Sequence, residues 1–207
     1  MRQGKFKFKS NRMKEHALKE GVGYSSLVVP SLYKPKKKIS NDLCEKIIEL
    51  GDEHWKETKQ GSYRSSQVAW NNEQWLYDLI WDHMIDANDK GGWRYYITAA
   101  EAFQITKYLK GGYYKWHLDG QGSHKEKFNE PNNPLLHGYA RKLSMTILLN
   151  NEFKGGEFEI RDKAEGKIKI KKGSMLFFPS FIEHRVNPVT EGVRYSLVCW
   201  FVGPPFI

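Results

Sequence analysis

Cysteine is scarce in this chain. Its 207 residues include only Cys44 and Cys199, whose spacing matches no disulfide framework. The sequence also shows no signal peptide and no apolar run that is long enough to span a membrane. The scarcity of cysteine excludes the disulfide-rich secreted class. Because no apolar run is long enough, we expect no membrane partner. Together these absences predict a location in the reducing cytoplasm.

Positive charge and aromatic side chains are abundant instead. The chain has 33 Lys and Arg against 24 Asp and Glu, a formal net charge of +9 at pH 7, and 14% of its residues are aromatic. Basic residues concentrate in three runs, at 2–14, 34–38 and 163–172. The simplest explanation is solubility, together with protection of a strand edge by the third run. Attraction of an acidic protein or a nucleic acid is the alternative. Because no nucleic-acid-binding motif is present, we expect no nucleic-acid partner.

Composition divides the chain into two parts. Residues 1–38 are polar and basic, and we expect them to form an extended arm, whereas residues 39–207 suit one domain. Apolar residues at helical spacing predict one helix near the start of this domain and another after Asn72, with a loop at 61–70 that leads into a short strand. From Trp93 onward, nine short segments separated by turn residues predict strands, the first at 93–97 and the last at 194–201. We therefore predict a mainly β domain with N-terminal helices, built as a sandwich or jelly roll.

Two histidines and one aspartate form the most informative pattern. His117 and Asp119 lie at the predicted end of a strand, and His184 follows 67 positions after His117. Residues i and i+2 of a strand point to the same face, so the first two side chains can reach one ion. Two imidazoles and one carboxylate are the ligand set of non-haem Fe(II) oxygenases, although this set also takes Mn, Co, Ni or Zn. A His-x-Asp pair alone is weak evidence, because it often arises by chance.

The residues around these three indicate which class of metal-dependent enzyme the chain resembles. They are Tyr108, Gly112 and Tyr114 before the pair, Gly155-Gly156-Glu157, Phe178-Pro179 before His184, and Pro188-Val189-Thr190-x-Gly192-x-Arg194 with Trp200 after it. With these flanks the sequence resembles the prolyl-4-hydroxylase-type 2-oxoglutarate/Fe(II) dioxygenases. It is especially similar to their bacterial and phage branch, which includes iron-uptake-associated hydroxylases. The resemblance runs from about Asp42 to the C-terminus. Animal and plant prolyl 4-hydroxylases have Lys where this chain has Arg194, which groups it with the Arg-bearing relatives.

The resemblance implies a fold and a metal site. The fold is a double-stranded β-helix, or jelly roll. The metal is Fe(II), which His117, Asp119 and His184 would bind, so these three would be the catalytic residues. L-Ascorbate is a further cofactor that the resemblance suggests.

The resemblance also implies 2-oxoglutarate as co-substrate. Arg194 and Tyr108 would bind it, because the planar and permanently charged guanidinium matches a carboxylate and the position of Tyr108 matches a tyrosine of the family. Thr146 or Leu148, on a predicted strand at 143–149, is a candidate for the lining of the same pocket. Trp200 would pack at the back of the pocket, with a plain core role as the alternative.

The expected reaction is hydroxylation of an unactivated C–H bond with consumption of dioxygen and release of succinate and carbon dioxide. A prolyl residue in a peptide or protein is the first candidate substrate, and an amino acid or another small molecule is the next. The alternative is a non-catalytic jelly-roll binding module. The complete triad with Arg194 argues against that alternative. The long polar stretch 120–139 begins beside Asp119 and predicts a lid over the site.

Overall fold

The structure, a computed structural model, describes residues 30–52, 54–59, 62–120, 127–162 and 165–205. The predicted basic arm therefore lies outside the described residues, except for residues 30–38. These residues contact the domain: Tyr33 and Phe177 exchange two backbone hydrogen bonds, of 2.8 and 2.9 Å, and the indole of Trp93 donates to the carbonyl of Pro30. The domain boundary at residue 38 stays a prediction.

Within the described residues, two α-helices precede most of the strands. Helix α1 spans Asn41–Asp52 and helix α2 spans Gln74–Lys90. Ser40 caps α1, because its Oγ accepts a hydrogen bond from the backbone N–H of Leu43 at 3.2 Å. The apolar faces of both helices share one hydrophobic cluster with the strands. Within the described ranges, no helix combines the length and the apolar character that a membrane crossing requires.

The described residues form thirteen strands. They are β1 Lys56–Lys59, β2 Arg64–Asn71, β3 Ala99–Ala100, β4 Phe103–Tyr108, β5 Tyr113–His117, β6 Ala140–Leu148, β7 Phe153–Gly155, β8 Phe158–Arg161, β9 Glu165–Ile168, β10 Met175–Pro179, β11 Glu183–Val186, β12 Val189–Gly192 and β13 Arg194–Gly203. Eight of the nine predicted strands are present within a few residues of their expected bounds.

Two local predictions were wrong. The stretch 93–97 is not a strand, because the side-chain amide of Asn88 donates to the carbonyl of Tyr95 and accepts from its N–H, at 2.8 and 3.0 Å. The predicted loop at 61–70 is mostly strand β2. Its buried face begins with the polar residues Arg64 and Ser66 and has an apolar residue only at Val68, so its alternation did not indicate a strand.

Eleven of the strands form one curled sheet, whose two halves are the major and minor sheets of a jelly roll, and β12 and β7 form a separate two-stranded sheet. The major sheet has the order β10-β6-β13-β4 and the minor sheet has the order β5-β11-β8-β9, with antiparallel pairing throughout. Strand β2 joins them, because its residues 67–71 pair with β4 and its residues 64–65 pair with β5. The predicted double-stranded β-helix is confirmed.

The hydrophobic core has two parts. The outer face of the major sheet packs against the helices, as Phe103 and Ile105 of β4 show. The alternate residues of β4, among them Thr106 and Tyr108, point between the sheets. The interior of the roll therefore combines a small apolar cluster with polar side chains, and the cavity described below lies there.

Candidate metal centre and its cavity

The three predicted metal ligands meet where β5 and β11 pair. His117 ends β5 and is the direct antiparallel partner of His184 on β11. The backbone N–H of Asp119 donates to the carbonyl of Ser180 at 2.9 Å, which fixes the turn after β5 against the segment before β11. The ligand atoms of the three side chains lie within 4.8 Å of one another. Among the described residues, no other group of His, Cys, Asp and Glu has the proximity to hold a metal ion.

Both imidazoles present the same nitrogen to the carboxylate. The Nε2 atoms of His117 and His184 lie 3.7 and 3.5 Å from the two carboxylate oxygens of Asp119. Each separation is shorter than roughly 4.2 Å, twice an ordinary metal–ligand distance. The Nδ1 atoms lie 2.8 and 2.9 Å from the carbonyls of Lys115 and Ile182. A carbonyl only accepts, so each Nδ1 carries the proton and each Nε2 keeps its lone pair for a metal.

The electrostatics of the three groups suit a divalent cation. Burial, reinforced by the neighbouring His184, lowers the pKa of His117 to about 3, so this ring is neutral at pH 7 and forms no ion pair with Asp119. Burial alone would raise the pKa of Asp119, but His184, His117 and Arg141 and a hydrogen bond from Ser144 outweigh it and lower that pKa. An ionised carboxylate beside neutral imidazole is a donor set for first-row divalent metals.

Aromatic rings hold both imidazoles in place. Tyr114 lies beside His117, and Phe158 and Phe178 lie beside His184. The edge-to-face contact between Phe178 and His184 has a centroid distance of 4.7 Å. These contacts restrict the rotation of the two rings, and pre-positioned ligands favour metal binding.

One cavity of about 300 Å³ contains the triad and the four other predicted site residues. Arg194, Tyr108, Thr146 and Trp200 all contribute to its lining. The structure therefore brings these seven predicted residues together, and Thr146 rather than the alternative Leu148 lines the cavity. The cavity has the size of a small-molecule site.

Arg194 is buried without a carboxylate partner. Arg194 is 2% exposed, and its Nη1 donates a hydrogen bond to Ser196 Oγ at 3.2 Å. Its Nε has no hydrogen-bond partner, and in the described part of the chain no carboxylate pairs with it. The guanidinium carbon lies 5.5 Å from the centroid of the Tyr108 ring. Burial lowers the pKa of Arg194, as expected for a charge that lacks compensation, although a guanidinium stays protonated. A buried charge of this kind needs an anionic partner, which a bound carboxylate would supply.

The cavity also contains charged residues that sequence reasoning did not assign to it. Arg64 is 7% exposed and donates to Ser66 Oγ and Gln104 Oε1, both at 2.8 Å. The signal that could have found it is the alternation of Arg64, Ser66, Val68 and Trp70, which places all four on one face of β2.

Arg141 is a second charged residue of the lining. It donates to both carboxylate oxygens of Glu101, at 2.6 and 2.7 Å, and its guanidinium lies over the ring of Trp200 at 4.1 Å. Trp200, which the sequence placed at the back of the pocket, therefore presents one face to a cation that Glu101 neutralises. The indole Nε1 of Trp200 is buried without a partner.

The predicted lid at 120–139 is only partly described, because residues 121–126 lie outside the described ranges. Residues 127–139 form a closed turn, in which the N–H of Phe128 donates to the carbonyl of Tyr139 at 2.8 Å and the N–H of Gly138 donates to the carbonyl of Phe128 at 2.9 Å. Closure of this segment over the site stays a prediction.

Comparison with known proteins agrees with this geometry. Residues 103–202 match the sequence profile of the 2OG-Fe(II) oxygenase superfamily, and this range contains all seven predicted site residues. Over this range, which is just under half of the chain, the sequence is similar to members of this superfamily. Fe(II) and 2-oxoglutarate are its cofactor and co-substrate, and the residues present fit both, since the triad offers the donor set and Arg194 offers the unpaired cation.

Curated relatives of this chain are named PKHD-type hydroxylases. A PKHD-type hydroxylase of Idiomarina loihiensis is 33% identical over 99 residues, which are 46% of this chain and 39% of the relative. Another from Parvibaculum lavamentivorans is 28% identical over 170 residues, 76% of this chain and 70% of the relative. The chain thus spans less than half the length of the first relative.

A solved structure shows the same fold. The viral collagen prolyl hydroxylase of Paramecium bursaria Chlorella virus-1, in its 2OG complex, superposes with a TM-score of 0.63 at 20% identity and covers 84% of this chain and 97% of its own. The resemblance to the prolyl-4-hydroxylase-type family is confirmed.

Proposed function

We propose that the chain is an Fe(II)- and 2-oxoglutarate-dependent dioxygenase that hydroxylates a C–H bond of a prolyl residue in a peptide or protein. The proposal rests on one observation. The guanidinium of Arg194, which pairs with no carboxylate of the described residues, lines the same cavity as the triad of His117, Asp119 and His184. A triad alone suits several metals and reactions. A buried cation that can bind a carboxylate beside the triad favours the class of oxygenases that uses a 2-oxo acid.

Each residue has a defined role in this proposal. His117 and His184 bind Fe(II) through Nε2, and Asp119 binds it through its carboxylate. When bound, Fe(II) and 2-oxoglutarate would supply, with dioxygen as the oxidant, the chemistry that hydroxylates the C–H bond and releases succinate and carbon dioxide. Arg194 donates to the distal carboxylate of 2-oxoglutarate, and Tyr108 lies beside that guanidinium. Since His117 is already neutral at pH 7, metal binding displaces no proton from it.

Aromatic side chains support a prolyl substrate. Trp70 and Trp200 line the cavity with ring centroids 6.1 Å apart, and Trp70 is 48% exposed, so this pair lies where the cavity opens. Flat aromatic faces suit an apolar five-membered ring. The named substrate class of the viral collagen prolyl hydroxylase also supports this assignment. Ascorbate binding and a cytoplasmic location stay predictions.

A small-molecule hydroxylase and a non-catalytic binding module are the other candidates. The retained charge of Arg194 argues against the module, because an uncompensated buried cation without a ligand is costly. A free amino acid would fit the same cavity, so the test must include one.

The test measures succinate and substrate mass together. The iron-loaded protein is supplied with 2-oxoglutarate and with proline-containing peptides, the same peptides with alanine in place of proline, or free proline. We expect succinate formation with the first peptides and a gain of one oxygen on them only. Uncoupled turnover that is equal with both peptides removes the prolyl assignment but leaves the dioxygenase. Oxygen gain on free proline alone identifies the small-molecule enzyme, and iron binding without any succinate identifies the binding module.

A further inference from the structure

Two lysine runs that lie far apart in the sequence lie side by side in the structure. Lys34 Nζ donates to the backbone carbonyl of Lys169 at 2.9 Å, and the N–H of Ile39 donates to the carbonyl of Gly173 at 3.0 Å. Gly173 has φ +76°, and a Cβ there would collide with the carbonyl of Ile39. Glycine therefore allows the two segments to approach, and it joins the runs at 34–38 and 167–172 into one surface.

This lysine surface consists of exposed residues: Lys34, Lys36, Lys37, Lys38, Lys169 and Lys171. No salt bridge to a described carboxylate involves any of the six. The neighbouring Lys167 and Lys172 differ, because they pair with Glu157 and Glu45 at 3.1 and 3.2 Å. Glu157 and Glu45 are thus already paired, and among the described residues no carboxylate forms a salt bridge with the six lysines, in a chain of net charge +9.

Protection of a strand edge does not account for the whole surface. Lysines on an edge strand deter pairing with another chain, which suits the run that includes β9. Residues 36–38 belong to no strand, yet they are three consecutive lysines. None of the six lysines lines the catalytic cavity, so the surface is a separate feature of the molecule.

We propose that the lysine surface binds the phosphate backbone of a double-helical nucleic acid without reading its sequence. The exposed large apolar side chains of the described residues all lie elsewhere, and Pro35 and Ile39 within the surface are buried. A protein partner would need an aromatic or apolar anchor, and a single strand would need aromatic rings for stacking on its bases. A duplex hides its bases and presents closely spaced phosphates, whose binding to lysine releases counterions. Such binding requires no sequence motif, so the absence of a nucleic-acid-binding motif does not exclude it.

The test compares two triple variants of the full chain. One carries Lys36→Gln, Lys38→Gln and Lys169→Gln in the lysine surface. The control carries Lys56→Gln, Lys110→Gln and Lys154→Gln, which removes the same formal charge from exposed lysines outside the two runs. Fluorescence anisotropy of a labelled duplex DNA of mixed sequence gives the dissociation constant between roughly 50 and 200 mM salt.

We expect the logarithm of the wild-type affinity to fall linearly with the logarithm of the salt concentration. Each lost phosphate contact lowers this slope by about 0.9, so the surface variant should lose about 2.7 and bind at least about tenfold more weakly. The control should stay within about twofold of the wild type. An equal loss in both variants would mean that only net charge matters and would overturn the proposal. It also fails if polyglutamate or anionic phospholipid vesicles, at matched charge, bind as tightly as the duplex, or if the wild type does not bind the duplex at the lowest salt.

Discussion

The ring of Tyr114 lies parallel to the imidazole of His117, with centroids 3.5 Å apart and an angle of 16° between the planes. The guanidinium of Arg64 lies 4.6 Å from the Tyr114 centroid and is itself held by two side-chain hydrogen bonds. The Nδ1 hydrogen bond to the carbonyl of Lys115 restrains the same imidazole in its plane. Stacking and hydrogen bonding together fix the direction of the His117 Nε2 lone pair.

Loss of the stack should weaken metal binding. Tyr114→Leu removes the flat ring, whereas Tyr114→Phe keeps it and serves as the matched control. We expect the leucine variant to bind Co(II), a spectroscopic substitute for Fe(II), about tenfold or more weakly, because groups that orient a metal ligand are worth roughly 10- to 100-fold in affinity. Visible absorption during Co(II) titration measures this. Wild-type affinity in Tyr114→Leu would show that the stack does not position the ring.

Removal of either histidine of the triad should abolish stoichiometric metal binding. His117→Ala and His184→Ala each leave two protein ligands, which are too few for a stable site of this class. His137→Ala is the control, since His137 is exposed and lies outside the triad. Circular dichroism checks the fold and calorimetry counts the bound iron. A double variant that binds one iron with wild-type affinity would contradict the assignment.

Arg194→Lys should raise the Michaelis constant for 2-oxoglutarate far more than that for the substrate. Lysine keeps the charge but loses the fork that matches a carboxylate. A charge-assisted hydrogen bond is worth about 1.5–3 kcal/mol, which corresponds to roughly 10- to 100-fold. Arg185→Lys is the control, because Arg185 pairs with Glu159 and does not line the cavity. If only the substrate constant changes, the anchor of the distal carboxylate lies elsewhere.

Acid should destabilise the metal-free protein through His117. Its native pKa is about 3, whereas an unfolded histidine titrates near 6.5. Between these values the unfolded chain binds a proton that the native ring does not, so the free energy of unfolding falls as the pH decreases, by at most about 1.4 kcal/mol per pH unit. Asp119 acts in the same direction below its unfolded pKa, because its native pKa is lowered.

Urea unfolding at pH 7 and pH 5 in the presence of a chelator measures this effect. We expect the wild type to lose about 2 kcal/mol over this interval from His117 alone. His117→Asn should remove most of that loss, and His137→Asn should leave it intact. The same pH dependence in all three proteins would mean that His117 is protonated in the native state.

The sequence predicted the metal ligands because their signal is local. His117 and Asp119 share one strand end, and the flanks of His184 and Arg194 carry the family resemblance. The sequence did not indicate Arg64 as a residue of the site, because a strand whose buried face begins with polar residues lacks the apolar alternation of an ordinary strand. The stretch 93–97 was misjudged for the opposite reason. Its aromatic residues favour a strand, but Asn88, several residues away, binds its backbone groups.

Contacts between distant segments were beyond prediction. The two lysine runs are adjacent only because the backbone near Ile39 pairs with the backbone at Gly173. No periodicity within either run contains this information. The jelly roll itself could be predicted, because nine short strands and a recognisable motif leave few alternatives, whereas the joining of both sheets through β2 could not.

The placement of the anchor and the triad on different sheets has a mechanical consequence. Arg194 belongs to β13 of the major sheet, whereas His117 and His184 belong to β5 and β11 of the minor sheet. A dicarboxylate bound at both ends would therefore connect the two sheets and hold them together. Ligands that bind only the native state stabilise it in proportion to the logarithm of their concentration. Resistance of the iron-loaded protein to heat and proteases would then rise and fall with the supply of 2-oxoglutarate. The lifetime of the protein would therefore depend on how much co-substrate is present.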